Sequence, residues 1–303
     1  MEKHHRVRKL WGNMFLNSIQ TAWNIGFIDF NPESILKQEK LGIRWMKHQY
    51  KDRWFADPFI LSVTEQEIVV LVEEFYYPSN RGRIARLAID RKSLELKSSD
   101  CLLELDSHLS FPAIFRRDGE VYVYPENSRA GTCILYKYQP ESLSLEQVGV
   151  LCKEPLTDAV MVQEFGENWL FGTSLPEPNG KQLGIYMADS WRGPYVLNDI
   201  VEFDDCTARG AGDIFQVGEM WVRPAQDCNG AYGKGVVLQK VEFKKGRFSF
   251  QEIRRFYPES SEWKEGMHTF NVYGNITVID GKKYRYPIRA KVLMGLNRLR
   301  KKL

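Results

Sequence analysis

Residues 56–75 read ADPFILSVTEQEIVVLVEEF, and this stretch decides the fold because four later segments repeat its plan. They are SFPAIFRRDGEVYVYPENS (110–128), TDAVMVQEFGENWLFGTS (157–174), GAGDIFQVGEMWVRPAQD (210–227) and MHTFNVYGNITVIDGKKYRYP (267–287). Each opens on a small or polar residue and runs through a short apolar strand. It then turns at a polar or glycine-bearing step, such as Arg117-Asp118-Gly119 or Val217-Gly218-Glu219, and returns as a second β-rich strand. Recurrence at roughly 50 residues marks one supersecondary unit used repeatedly.

Further β-like runs lie between the hairpins, at Gly82–Ile89, Cys133–Tyr138 and Gly235–Val241. Two more strands per repeat make four-stranded blades, and radial repetition of such sheets leaves only short, protected edges. The expectation is therefore an all-β chain, a single five-bladed β-propeller domain over residues 1–303. A pair of β-sandwiches would house the same strands but leave the similarity among the repeats unexplained.

Residues 1–50 read as an N-terminal extension that packs on the propeller or closes its ring. Within it Glu33–Lys40 has the pattern of a short helix and Trp23–Gly26 that of an ordered turn or strand. The tail IRAKVLMGLNRLRKKL (288–303) places Val292, Leu296 and Leu299 on one face of a basic helix. It reads as a helix docked on the domain with solvated charges, and contact with a membrane surface is its alternative.

The bulk numbers narrow the function classes. A balance of 42 basic against 39 acidic residues gives a net charge of +3, so no global field argues for a nucleic-acid partner. The five cysteines are scattered, without a C-x-x-C pair, and read as buried free thiols in a reducing compartment. The basic N-terminus never opens into an apolar leader core, and no run approaches the roughly 20 apolar residues of a membrane span. A cytoplasmic location is the expectation.

In a propeller the start of each innermost strand and the end of the next strand share one mouth of the central channel. This places Asp57 beside Glu73 and Glu74, Phe111 beside Glu126, and Asp158 beside Thr173 and Ser174. The fourth repeat contributes Arg209, Arg223 and Asp227, and the fifth His268. Matched positions that differ in chemistry point to a site, since carboxylates, arginines and a histidine converging on one mouth drive neighbouring pKa values apart.

Each residue also has a structural role open to it. Asp57 and Asp158 can accept backbone N–H bonds at a strand start, where Pro58 is tolerated. Glu126 can be a solvated loop acid, Arg223 and Asp227 a structural pair, and His268 a satisfied core histidine. Alternation points only one of Glu73 and Glu74 inward. No phosphate loop, nucleophile elbow or metalloprotease motif is present, and no cofactor is expected. The acidic oxygens at the mouth are suitable ligands for a structural calcium or sodium ion, without a legible ligand loop.

Several of these segments carry a family resemblance: Trp23–Gly26, Trp54–Phe59, Leu109–Pro112 with Tyr124–Glu126, Ser190–Tyr195, Arg223–Cys228 with Tyr232-Gly233, and His268–Phe270. Together they resemble the five-bladed propellers of glycoside hydrolase family 43. More closely they resemble the N-terminal domain of glucosamine inositolphosphorylceramide transferases. The hydrolase resemblance implies that Asp57 is the general base that activates water and that Asp158 tunes the acid. It implies a glutamate acid at the start of the fourth blade, where this chain has Ala208-Arg209-Gly210-Ala211-Gly212.

Two functions therefore stand side by side. As a glycosidase-like enzyme, the chain would use Asp57 as base and Glu126 or Glu74 as acid, the two carboxyl groups roughly 6.5–9.5 Å apart for inversion. Arg209, Arg223, Asp227 and His268 would hold the substrate and Trp54 and Phe111 would stack on sugar faces. As a non-catalytic carbohydrate or glycolipid-headgroup module, it would have kept the mouth and lost the acid. A propeller scaffold for protein partners, with a large apolar patch away from the mouth, is a third reading.

Overall fold

The computed structural model describes residues 20–37, 40–259 and 262–302. The chain enters through strand β1 (Thr21–Asp29), a short helix α1 (Pro32–Leu36) and strand β2 (Arg44–Trp45). Four meandering sheets follow in chain order. The first holds β3 (Arg53–Val63), β4 (Glu67–Tyr76), β5 (Arg81–Asp90) and β6 (Leu96–Leu103), and the second β7 (Ser110–Arg117), β8 (Glu120–Glu126), β9 (Cys133–Gln139) and β10 (Ser144–Cys152). The third holds β11 (Leu156–Val162), β12 (Asn168–Ser174), β13 (Gln182–Ala188) and β14 (Val196–Glu202). The fourth holds β15 (Phe215–Val217), β16 (Met220–Asp227), β17 (Gly235–Lys244) and β18 (Arg247–Phe256). Strands β19 (Phe270–Tyr273) and β20 (Ile276–Tyr284) and helix α2 (Pro287–Lys302) complete the chain.

The fifth sheet runs β19-β20-β1-β2, so its outer half comes from the N-terminus. β1 pairs antiparallel with β20 along its whole length, from Thr21 opposite Tyr284 to Asp29 opposite Ile276. Of the two roles expected for the first fifty residues, β1 takes ring closure. The helix expected over 33–40 forms at its start as α1; Gln38 and Glu39 lie outside the described residues.

Burial follows strand position. Ile68–Val72 of β4 are all buried, because a second strand has packed neighbours on both faces and therefore reads as a continuous apolar run. Blade contacts are aromatic: the Phe248 ring of β18 meets Phe171 of β12 edge-on at 4.8 Å. Outermost β14 exposes Val196, Leu197 and Ile200.

Two expectations about detail are corrected. Cys133, Cys152 and Cys228 are buried, whereas Cys206 is half-buried and Cys101, on an outermost strand, is exposed. Helix α2 carries two apolar stripes, and the propeller takes the one that sequence periodicity did not favour. Ala290 is buried, and Met294 accepts a hydrogen bond on Sδ from the Tyr284 hydroxyl at 3.6 Å. Val292 and Leu296 are 57% and 51% exposed, and the side chain of Leu299 lies outside the described residues. Among the described residues no helix is long and apolar enough to cross a membrane.

Ile25, fully buried in β1, tests the closing strand. Ile25→Ala should lower stability by about 2–5 kcal/mol, read as a shifted midpoint in urea denaturation.

Candidate functional site

The inner strands of the first three sheets share a defect. Strand register slips between Ala56 and Phe59, between Ser110 and Ala113, and between Thr157 and Val160. In each gap one residue takes a left-handed backbone: Asp57 at φ 48°, Phe111 at 43° and Asp158 at 43°. A side-chain-bearing residue held there costs about 1–3 kcal/mol, and such a bulge re-aims its side chain. Pro58 and Pro112 sit in these gaps, where no ladder donor is required.

Asp57 projects into a buried network with the fifth blade. Its Oδ2 accepts the Phe111 N–H at 3.1 Å and its Oδ1 lies 2.9 Å from the Thr269 hydroxyl. The Asp57 N–H in turn donates to Asp280 Oδ2 at 3.3 Å. Asp280 Oδ1 accepts the backbone N–H groups of His268 and Thr269 at 2.8 and 3.1 Å, and its Oδ2 pairs with His268 Nδ1. The His268 ring stacks on Trp23 of β1, centroids 4.1 Å apart.

Opposed forces set the charges here. Burial favours neutral His268, but the carboxylates of Asp280 and Asp57 outweigh it and lift the imidazole to about 9. Burial also acts against Asp280, yet the charge and hydrogen bonds of His268 hold it below the usual carboxylate value. Asp57 is pushed up to about 7, chiefly by burial, with His268 opposing and Glu73 adding to the rise. Asp57, His268 and Asp280 each offer a ligand atom within 4.8 Å of one another, a spacing compatible with a cation. As the side chains stand, the same atoms are engaged with one another.

A second network lies across the mouth. Arg209 donates from Nε to Asp158 Oδ2 at 2.5 Å, from NH2 to Glu126 Oε2 at 3.1 Å and from NH1 to Asn179 Oδ1 at 2.9 Å. Gln226 Nε2 donates to the same Asp158 oxygen at 2.5 Å, and the Asp158 N–H donates to Glu126 Oε2 at 3.2 Å. Glu126 is raised to about 8 by burial, against the charge of Arg209. It lines a cleft of about 920 Å³ together with Arg81, His108, Ser128 and Arg129. The Gly82 N–H donates to His108 Nδ1 at 2.9 Å, so His108 carries its proton on Nε2, 3.2 Å from Glu73.

The structure thus gathers Asp57, His268, Asp158, Glu126 and Arg209 at the mouth, and sends other expected residues elsewhere. The pleat turns Glu74 away, into ion pairs with Arg53 at 2.9 Å and Arg83 at 2.5 Å, and Glu73 takes the inward position. Phe111 is 1% exposed and packs edge-on against Phe59, so its face is not available to a sugar. Trp54 is half-buried and stacks on Phe75 at 4.8 Å.

Asp227 is fully buried beneath Tyr257, Asn229 and Arg255, its oxygens accepting from Tyr257 at 2.8 Å and from the Asn229 N–H at 2.9 Å. Arg223 is likewise buried, bound to Gln239 Oε1 at 2.7 Å and to the Ala208 carbonyl, and desolvation lowers it to about 9. Both are structural in their contacts. Asp280, Thr269, Gln226 and Asn179 were not read as site residues; Gln226, inside Arg223–Cys228, and Thr269, inside His268–Phe270, were the recoverable ones.

A family model described as "Glucosamine inositolphosphorylceramide transferase 1, N-terminal" matches residues 44–275. The chain belongs to this family. Glucosamine inositolphosphorylceramide transferase 1 of Arabidopsis thaliana is 34% identical over 197 residues, which is 62% of this chain and 26% of that protein. The rice (japonica) protein of the same name is 26% identical over 259 residues, 77% of this chain and 34% of that protein. The chain therefore spans about a third or less of these relatives.

Among solved structures, a thermostable family-43 glycoside hydrolase superposes with a TM-score of 0.55 at 13% identity, covering 77% of this chain and 86% of that one. A family 117 glycoside hydrolase from Zobellia galactanivorans gives 0.51 at 12%, covering 78% and 88%. At such identities the likeness is one of fold. This transferase N-terminal family thus shares the five-bladed propeller of those hydrolases.

The His268 network makes stability pH-dependent. Folded His268 keeps its proton up to about 9, whereas the unfolded residue loses it near about 6.5. The stabilisation is thus fully present below pH ~6.5 and is lost as pH rises through the folded value. Asp57 and Glu126, whose folded values are also raised, slope the same way at lower pH. Thermal unfolding followed from pH 6 to 9.5 should show a falling midpoint. His268→Gln should flatten that decline and, by leaving Asp280 buried without its cation, cost about 3–5 kcal/mol at pH 7.

Proposed function

We propose that the propeller is a recognition domain for a carbohydrate or glycoconjugate headgroup, which it binds at the mouth without cleaving it. The observation that carries this reading is Arg209. It occupies the fourth-blade position at which the hydrolase resemblance implies the acid, and it is bound to both Glu126 and Asp158. A guanidinium cannot give up a proton near neutral pH but holds oxygen acceptors in a fixed fork. The adjacent cleft, with Arg81, His108, Ser128 and Arg129, supplies donors suited to hydroxyl or acidic groups of a sugar.

One observation favours the hydrolytic reading. Glu126, lifted to about 8, keeps its proton at neutral pH and lines an open cleft, as a general acid requires. Against it, Asp57 is 4% exposed and its oxygens already accept from Phe111 and Thr269, which leaves a water little access.

The two are separated by one pair of measurements, glycan-array binding and hydrolysis of aryl-glycosides and oligosaccharides. Recognition predicts binding that survives Asp57→Asn and weakens at least about tenfold in Arg129→Ala, with no product above the protein-free control. Hydrolysis by the wild type that falls by more than about 100-fold in both Asp57→Asn and Glu126→Gln would replace it with the enzyme reading.

A further inference from the structure

Helix α2 follows β20, which ends at Tyr284. The matching second strands of the first and second blades run out to the mouth past Glu74 and Glu126, so the helix departs from the same rim. One face holds it to the propeller, through buried Ala290 and through Met294, whose Sδ accepts from the Tyr284 hydroxyl at 3.6 Å. That attachment fixes which way the rest of the helix points. Ile288, Val292 and Leu296 recur at every fourth residue and so align on one side, 79%, 57% and 51% exposed. Single exposed apolar side chains are ordinary, whereas three in line form a stripe that water solvates poorly.

The charge of the same helix is one-sided. Its 16 residues include Arg289, Lys291, Arg298, Arg300, Lys301 and Lys302 and no acid. Successive helical residues turn by about 100°, which sets Arg289 and Lys291 on opposite borders of the apolar stripe. Both are exposed, and neither has an ion-pair partner among the described residues. Lys47 and Lys51, also exposed, line one cleft with Tyr286 and carry the positive surface past the first turn.

An apolar stripe bordered by cations on both sides fits a partner that is anionic at its surface and apolar just beneath. A bilayer with acidic headgroups has that layering: the apolar side chains enter the acyl boundary while Lys and Arg stems reach back to the phosphates. We infer that α2 lies flat on an anionic lipid bilayer and seats the rim of the propeller there. With 16 residues and six cations it is too short and too charged to span, so the contact is interfacial. The helix lies beyond residues 44–275, over which the chain matches its family, so the contact belongs to this chain's own tail. It does not rest on the recognition of a headgroup at the mouth.

Co-sedimentation of the whole chain with phosphatidylcholine vesicles, with and without about one third phosphatidylserine, tests the contact. These lipids carry no sugar, so the outcome is independent of what the mouth binds. Acidic vesicles should bind at least about tenfold more tightly than neutral ones, and the advantage should shrink as salt is raised. Arg289→Gln combined with Lys291→Gln should weaken binding about tenfold or more, and Val292→Ser combined with Leu296→Ser by a similar factor. All four side chains are exposed, so the unfolding midpoints should not move; Ile288→Ser replaces the serine pair if its midpoint falls. Val292→Trp reports depth, since the emission it adds over wild type should shift to the blue on acidic vesicles alone. Equal binding to neutral vesicles, or binding indifferent to both pairs, would overturn the inference. So would self-association through the stripe, abolished by the serine pair, in place of vesicle binding.

Discussion

The carboxylate of Asp280 is the fastening on which the rest of this propeller depends. It is fully buried, and it receives two backbone N–H groups from its own blade, one from Asp57 of the first blade, and the His268 imidazole. A carboxylate so placed is tolerable only because donors and a cation surround it, and those donors belong to both ends of the ring. His268 then stacks on Trp23, which carries the same tie to the N-terminal strand. Ring closure and the geometry of the first-blade acid are therefore one interaction.

Across the mouth Arg209 organises the other half. Two carboxyl groups and an arginine in a desolvated site form a triad in which each acid is already an acceptor of well-placed N–H bonds. Such an arrangement fixes each acid in one orientation within the network. The strained backbone at Asp57 and Asp158 fits this view, because strain of that kind persists where the surroundings fix a side chain in one direction.

Architecture was legible in the sequence because repetition is a one-dimensional signal: the five hairpins announce themselves by self-similarity, and matched positions within them locate the mouth. Asp57, Asp158, Glu126, Arg209 and His268 followed from that matching. What failed was side-chain direction. Glu73 and Glu74 differ only in pleat phase, Gln226 and Asp227 likewise, and both pairs lie towards strand ends where apolar alternation no longer marks the inward face. Asp280 was hidden for a different reason: it lies in the middle of Ile276–Tyr284, a run that reads as ordinary β-structure. On helix α2 periodicity favours the face of Val292 and Leu296, whereas the propeller takes Ala290 and Met294.

The shared fifth blade bears on the order of assembly. Four blades are contiguous in the chain and can form as soon as their own residues are available, whereas the last needs β1 beside β20, the first and last strands among the described residues. Contacts of such long sequence separation form late and slowly. A growing polypeptide can therefore hold four finished sheets while its leading strand waits, its edge unpaired and open to the wrong partner, until Tyr284 has left the ribosome.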